Sequence, residues 1–92
     1  MDELSTVQSK WRQRGFSCDI WTDPPGQVWR DFVHGVDELL MLIEGDLEVS
    51  VGGQTWQPRI GEEVFIHAGA KHTVINIGAT PDRWYYGYQR GP

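Results

Sequence analysis

The sequence holds a single cysteine, Cys18. One thiol builds neither a disulfide framework nor a thiolate zinc site. Basic residues are also scarce: eight Lys and Arg stand against thirteen Asp and Glu, for a formal net charge of −5. That balance excludes the clustered cations that a nucleic-acid backbone or an anionic membrane surface would need. No apolar run approaches the roughly 20 residues of a membrane-spanning helix. The start, MDELSTVQSKWRQRG, lacks the basic-then-apolar order of a secretory signal, so a cytoplasmic location is expected. Repeats, linkers and low-complexity tracts are absent, and 92 residues suffice for one domain only.

What is present suits a small folded protein. Apolar residues make up 39% of the chain and charged residues 23%. Five of the residues are Trp, each with a large apolar body and an N–H that needs an acceptor. The first fourteen residues predict a short helix, with Leu4, Val7 and Trp11 on one face and Gly15 as its C-terminal cap. It is expected to lie against the outside of the domain and to carry no chemistry.

From Phe16 onward the pattern is strand and turn. Phe16, Cys18 and Ile20 share one face, which makes Cys18 a buried structural thiol. Val28 to His34 alternates, and Leu39 to Ile43 is a continuous apolar run, as in a strand covered on both faces. Leu47, Val49 and Val51 alternate with polar residues, and Gly52-Gly53 is a two-residue hairpin turn. Further strands are expected at Thr55-Trp56, Glu63 to His67, His72 to Ile77 and Arg83 to Gln89, separated by turns such as Asp23-Pro24-Pro25-Gly26. About eight short, evenly spaced strands read as an all-β sandwich or barrel.

Two segments carry a recognisable pattern. The first is Gly26, Phe32-Val33-His34, Glu38 and Gly45; the second is Gly61, Ala68-Gly69, His72 and Asn76. In spacing they resemble the paired motifs of the cupins, over nearly everything from Trp21 to Tyr88. The resemblance implies a jelly-roll barrel spanning residues 16–90 within a single 1–92 domain, preceded by a 1–15 extension. It also implies metal ligands at His34, Glu38 and His72, with the strand of His72 beside the junction that carries the other two. Two positions depart from the family pattern: Phe32 stands where its first histidine would be, and His67 where its proline would be.

The residues themselves point the same way. Parity groups Phe32 with His34, Glu38 with Leu40 and Leu42, and His72 with Val74 and Asn76, and inward residues of a barrel converge. Two neutral imidazoles and a carboxylate suit a divalent transition metal (iron, manganese, nickel, zinc or copper) and leave coordination positions open. No organic cofactor is implied. Because the imidazoles must be neutral to bind, metal affinity should fall below about pH 6. The alternative is a metal-free pocket, in which Glu38 needs a hydrogen-bond partner such as His34. Phe32, His67 and Asn76 are candidates for the pocket wall or its surroundings. His67 would be a replacement ligand or acid–base group, or else a surface residue, and Asn76 is expected to be a structural hydrogen-bonder. Trp84, Tyr86 and Tyr88 share a face of the last strand, where packing is the expected role.

Three functions follow: a small metal-dependent oxygenase or isomerase, a metal-free small-molecule binding or sensor module, and, last, a partner-binding or structural protein. A homodimer is also expected. Leu39, Met41 and Ile43 have opposite parity to the inward Leu40 and Leu42, so a second apolar face needs a cover.

Overall fold

A computed structural model of the protein describes residues 3–90. Met1, Asp2, Gly91 and Pro92, which the expected helix and domain spans include, lie outside the described residues. Helix α1 runs Glu3–Gln13. It stops where Gly15 takes a positive φ of 86°, a conformation that costs glycine little. There Gly15 N–H donates to the Arg12 carbonyl at 3.0 Å, and Phe16 N–H donates to the Trp11 carbonyl at 2.9 Å. This pair of bonds satisfies carbonyls that the helix end would otherwise leave orphaned.

Eight strands follow: β1 Asp19–Asp23, β2 Val28–Phe32, β3 Glu38–Glu44, β4 Leu47–Val51, β5 Gln54–Trp56, β6 Glu63–Ile66, β7 His72–Asn76 and β8 Asp82–Tyr88. They form two four-stranded antiparallel sheets, in the orders β1-β8-β3-β6 and β2-β7-β4-β5. Leu40, Leu42, Val64, Ile66 and Trp84 from the first sheet pack on Leu47, Val49 and Val74 from the second. This core closes the two sheets into a jelly-roll barrel, as the sequence predicts. Phe16 lies outside the regular strands and makes only an isolated bridge with Gln89.

The outer face of β3 is covered by the chain itself. Leu39 has no exposed surface; it packs in a second core with Trp11, Phe16, Cys18 and Tyr85, flanked by Leu4, Val7, Met41 and Ile43. Helix α1 thus covers Leu39, while Met41 and Ile43 on the same face are partly buried. An ion pair pins it in place: Arg14 donates to both oxygens of Glu63 on β6, at 2.8 and 2.7 Å, and the Trp11 indole donates to the same carboxylate at 3.2 Å. The Arg14 hydrogen bond is the main reason the Glu63 carboxyl is held below its ordinary pKa. Burial pushes the Cys18 thiol up to about 11, so it stays protonated and inert.

One close approach fixes Gly87. A Cβ there would collide with the Ser17 carbonyl and touch the Trp11 ring at 3.0 Å. The segment leading into β1 crosses β8 at this point, and only a residue without a side chain lets it pass.

Candidate metal centre and pocket

His34, Glu38 and His72 come from different parts of the chain and meet at one end of the barrel. Glu38 is the first residue of β3 and is paired with Tyr88 on β8 and Ile66 on β6. His72 is the first residue of β7, in the other sheet, beside Phe32 on β2 and Val51 on β4. Glu38 and His72 therefore face each other across the barrel and are not side by side in one sheet. His34 does not end a strand. Strand β2 stops at Phe32, and His34 sits in the following loop. That loop is tied to the β6–β7 turn, where Gly69 N–H donates to the His34 carbonyl at 2.9 Å and Ala68 N–H to Asp37 Oδ1 at 2.7 Å.

One ligand atom from each of the three side chains lies within 4.8 Å of the others. Glu38 Oε1 is 3.3 Å from His72 Nε2 and 3.5 Å from His34 Nε2. Yet this oxygen, fully buried, accepts no aligned hydrogen bond. A buried carboxylate oxygen without a donor is costly, and a cation between the three groups removes that cost. The donor set of two imidazoles and one carboxylate fits a divalent transition metal. Glu38 raises the pKa of His72, against burial, which lowers it; the Ala70 carbonyl, 3.3 Å from Nδ1, raises it further.

A cavity of about 190 Å³ opens over these three residues. Phe32 lines it, with its ring 6.1 Å from that of His34 and 6.3 Å from that of His72. The fourth family position is thus an apolar wall beside the centre. Trp21, Trp29, Trp84, Tyr86 and Tyr88 complete most of the lining. Burial pushes the Tyr88 phenol up to about 12, with the Glu38 charge as the next cause, so it remains a neutral hydroxyl.

Trp29 was not legible as a pocket residue, because simple alternation puts it on the face opposite Phe32. A bulge decides otherwise. Trp29 pairs with Val74 and Phe32 with His72, so three steps on β2 match two on β7. Asp31 takes up the extra residue with a φ of 55°, and its N–H donates to Thr73 Oγ1 at 3.0 Å. Both aromatic side chains then line the cavity. The face shared by Trp84, Tyr86 and Tyr88 was likewise expected to be packing; Trp84 belongs to the core, and all three also line the cavity.

Asp23, read from the sequence as a turn residue, is the hub of this wall. It is 1% exposed, and its carboxylate accepts from three indoles: Trp21 at 2.7 Å, Trp29 at 2.9 Å and Trp84 at 2.8 Å. The signal that could have found it was the acceptor each Trp needs. Beside it lies Asp82, fully buried, with Oδ1 accepting from Asp23 N–H at 3.1 Å and Oδ2 unpaired. Burial first, then the Asp23 charge, push the Asp82 carboxyl up to about 7.

The other two candidates lie elsewhere. His67 is exposed, its ring packs edge-on against Phe65 at 4.7 Å, and it does not line the cavity. Its place at the end of β6 turns it away from the centre. Asn76 is buried at the far end of β7, where its amide donates to the carbonyls of Asp23, Pro24 and Thr80 and its oxygen accepts from Gly78 N–H. It staples turns together, as expected of a structural hydrogen-bonder.

Two antiparallel sheets closed over two imidazoles and a carboxylate define a small β-barrel protein with a residue group that could hold a metal ion. The chain belongs to the cupin family: the family model described as "Cupin domain" matches residues 19–88. Among solved structures, the TT1209 protein of Thermus thermophilus is 31% identical, with a TM-score of 0.73, covering 83% of this chain and 74% of that one. A Cupin 2 conserved barrel domain protein from Salinispora arenicola CNS-205 is 19% identical, with a TM-score of 0.74, covering 84% of this chain and 65% of that one. An oxalate oxidase in complex with the substrate analogue glycolate is 24% identical, with a TM-score of 0.70. This chain is 83% covered in that match but spans only 42% of the oxidase. No curated protein matches the chain. No helix among the described residues is long and apolar enough to cross a membrane.

Proposed function

We propose that the protein is a metal-binding cupin in which His34, Glu38 and His72 hold one divalent transition metal below a small-molecule pocket. The observation that carries this reading is the convergence of the buried Glu38 Oε1 with two imidazole nitrogens, at 3.3 and 3.5 Å. Such a metal, once bound, keeps coordination positions open for water, dioxygen or a substrate donor atom. The protein's own residues do the rest. Glu38 supplies the single negative ligand, while the loop contacts of Gly69 and Ala68 fix where His34 sits. Phe32 and its aromatic neighbours keep water from the apolar side of the centre.

The likeness to oxalate oxidase supports the fold alone. A metal-free pocket is the second reading, and Phe32 in a ligand position favours it. The two are separated by titrating metal-stripped protein with iron, manganese, nickel, zinc and copper, followed by elemental analysis. One ion per chain is expected, with loss of binding in His72→Ala. Failure to bind any of the five overturns the metal reading.

A further inference from the structure

The rings of the cavity form a closed circuit. Phe32 meets Trp29 at 5.9 Å, Trp29 meets Trp21 at 5.8 Å, and Trp21 meets Tyr86 at 6.3 Å. Tyr86 meets Tyr88 at 5.9 Å, Tyr88 meets His34 at 4.9 Å, and His34 returns to Phe32 at 6.1 Å. Contacts in this series are mostly edge-to-face, the arrangement that ring quadrupoles prefer. The belt is continuous around the cavity, and its members rise from both sheets.

Charge decides what such a belt accepts. The indole N–H groups of Trp21 and Trp29 are both engaged by Asp23, as is that of Trp84 beneath them. A ligand at these rings therefore finds their N–H donors already engaged. A carboxylate beneath the indoles turns their positive edges towards itself and adds negative potential behind the wall. Inside the cavity the acidic residue is Glu38, and neither Lys nor Arg lines it. With the centre metal-free, an anion at the belt would find neither Lys nor Arg and no free indole N–H on Trp21, Trp29 or Trp84. A cation finds negative ring faces in a partly desolvated site, where cation–π attraction is strongest. The volume of about 190 Å³ limits the guest to a compact head group, below the roughly 300–1,000 Å³ of drug-sized pockets.

We infer that the aromatic belt recognises a small organic cation, with an ammonium or sulfonium head seated among Trp21, Trp29, Phe32, Tyr86 and Tyr88. This ligand class rests on the reading of the cavity as the ligand pocket, and a metal below would offset the Glu38 charge, so the metal-stripped form is the one expected to bind the cation more tightly. Seating the positive head in the belt directs the remainder of the molecule towards His34, Glu38 and His72. A guest that also carries an oxygen donor would bridge the two halves of the pocket.

The test uses choline and tetramethylammonium as probes, with the neutral carbon isostere of choline and acetate as comparators. Binding is followed by tryptophan fluorescence and titration calorimetry, on metal-stripped and on metal-loaded protein. Metal content is measured on the same samples, so failure of the metal reading registers separately. In at least one form, choline should bind about tenfold more tightly than its isostere, a difference of about 1.4 kcal/mol. Acetate should not quench the belt tryptophans. Phe32→Leu keeps the apolar volume and removes a π face at a partly exposed position. It should weaken choline several-fold while leaving the isostere nearly unchanged, and Phe32→Tyr should retain choline. Equal binding of choline and its isostere in both forms overturns the inference, as does failure of either cation to bind. Equal losses for choline and isostere in Phe32→Leu would also overturn it, because packing alone would then explain the site.

Discussion

Replacing Asp82 by Asn should stabilise the protein at alkaline pH and leave it nearly unchanged in acid. Asp82 is fully buried against Asp23, and its carboxyl is raised from 3.8 to about 7 by burial and by the Asp23 charge. The folded-state pKa lies above the unfolded one. The folded protein therefore binds a proton at Asp82 that the unfolded chain releases between about pH 4 and 7. The associated stability is fully present below about pH 4 and is lost as pH rises through about 7. A shift of roughly three units at about 1.4 kcal/mol each sets a ceiling near 4 kcal/mol, and relaxation around a coupled pair lowers this to about 2–4 kcal/mol.

Asn has the same shape and is neutral throughout. Its oxygen can accept the Asp23 N–H that Oδ1 now accepts at 3.1 Å, and its NH₂ can donate to the Asp23 carboxylate as the protonated Asp82 does. At pH 8.5 the variant should gain most of the 2–4 kcal/mol, which for a domain this size is roughly 10 °C or more in Tm. Near pH 4.5 the two proteins should melt together within about 1 kcal/mol. The assay is thermal and urea unfolding from pH 4.5 to 8.5. His72, raised by Glu38, also loses stability as pH rises, but it does so in both proteins and drops out of the difference. A stability difference that does not change with pH would refute the argument, because Asp82 would then hold one protonation state throughout.

Four further outcomes are expected. Asp23→Ala strips the acceptor from three indole N–H groups and should destabilise by at least about 3 kcal/mol in urea unfolding, with a changed near-ultraviolet tryptophan spectrum. Gly87→Ala must push the Ser17 backbone away from β8 and should cost at least about 2 kcal/mol or prevent folding, as read by thermal melts of the soluble fraction. Leu39→Ala empties a fully buried site under α1 and should cost about 2–5 kcal/mol, with loosening of the helix visible in hydrogen exchange of residues 4–13. Glu38→Gln removes the negative ligand of the trio and should abolish metal binding in the elemental assay.

The strand pattern was legible in the sequence because it is local. Alternation in Leu47, Val49 and Val51 and the apolar run at Leu39–Ile43 report directly on which faces are buried. The turns were legible for the same reason: Gly45, Gly61 and Gly69 all take positive φ, which few other residues adopt at low cost. The resemblance of two short motifs to those of the cupins singled out His34, Glu38 and His72 as a group, and the three do converge. Tertiary structure alone decided how those residues meet, with Glu38 and His72 facing one another from opposite sheets. It also decided what covers the second face of β3, because the helix that does so is far away in the chain and its docking is set by Trp11, Arg14 and Glu63. The aromatic belt belongs to this second category. One extra residue at Asp31 reverses the parity of everything before it, which brings Trp29 round beside Phe32. Asp23 becomes the shared acceptor of three indoles only when β1, β2 and β8 are folded against one another. Side-chain period is a property of a strand, whereas a bulge and a buried hydrogen-bond hub are properties of strands in contact. That is why the sequence pointed to a barrel, and only packing defined the pocket within it.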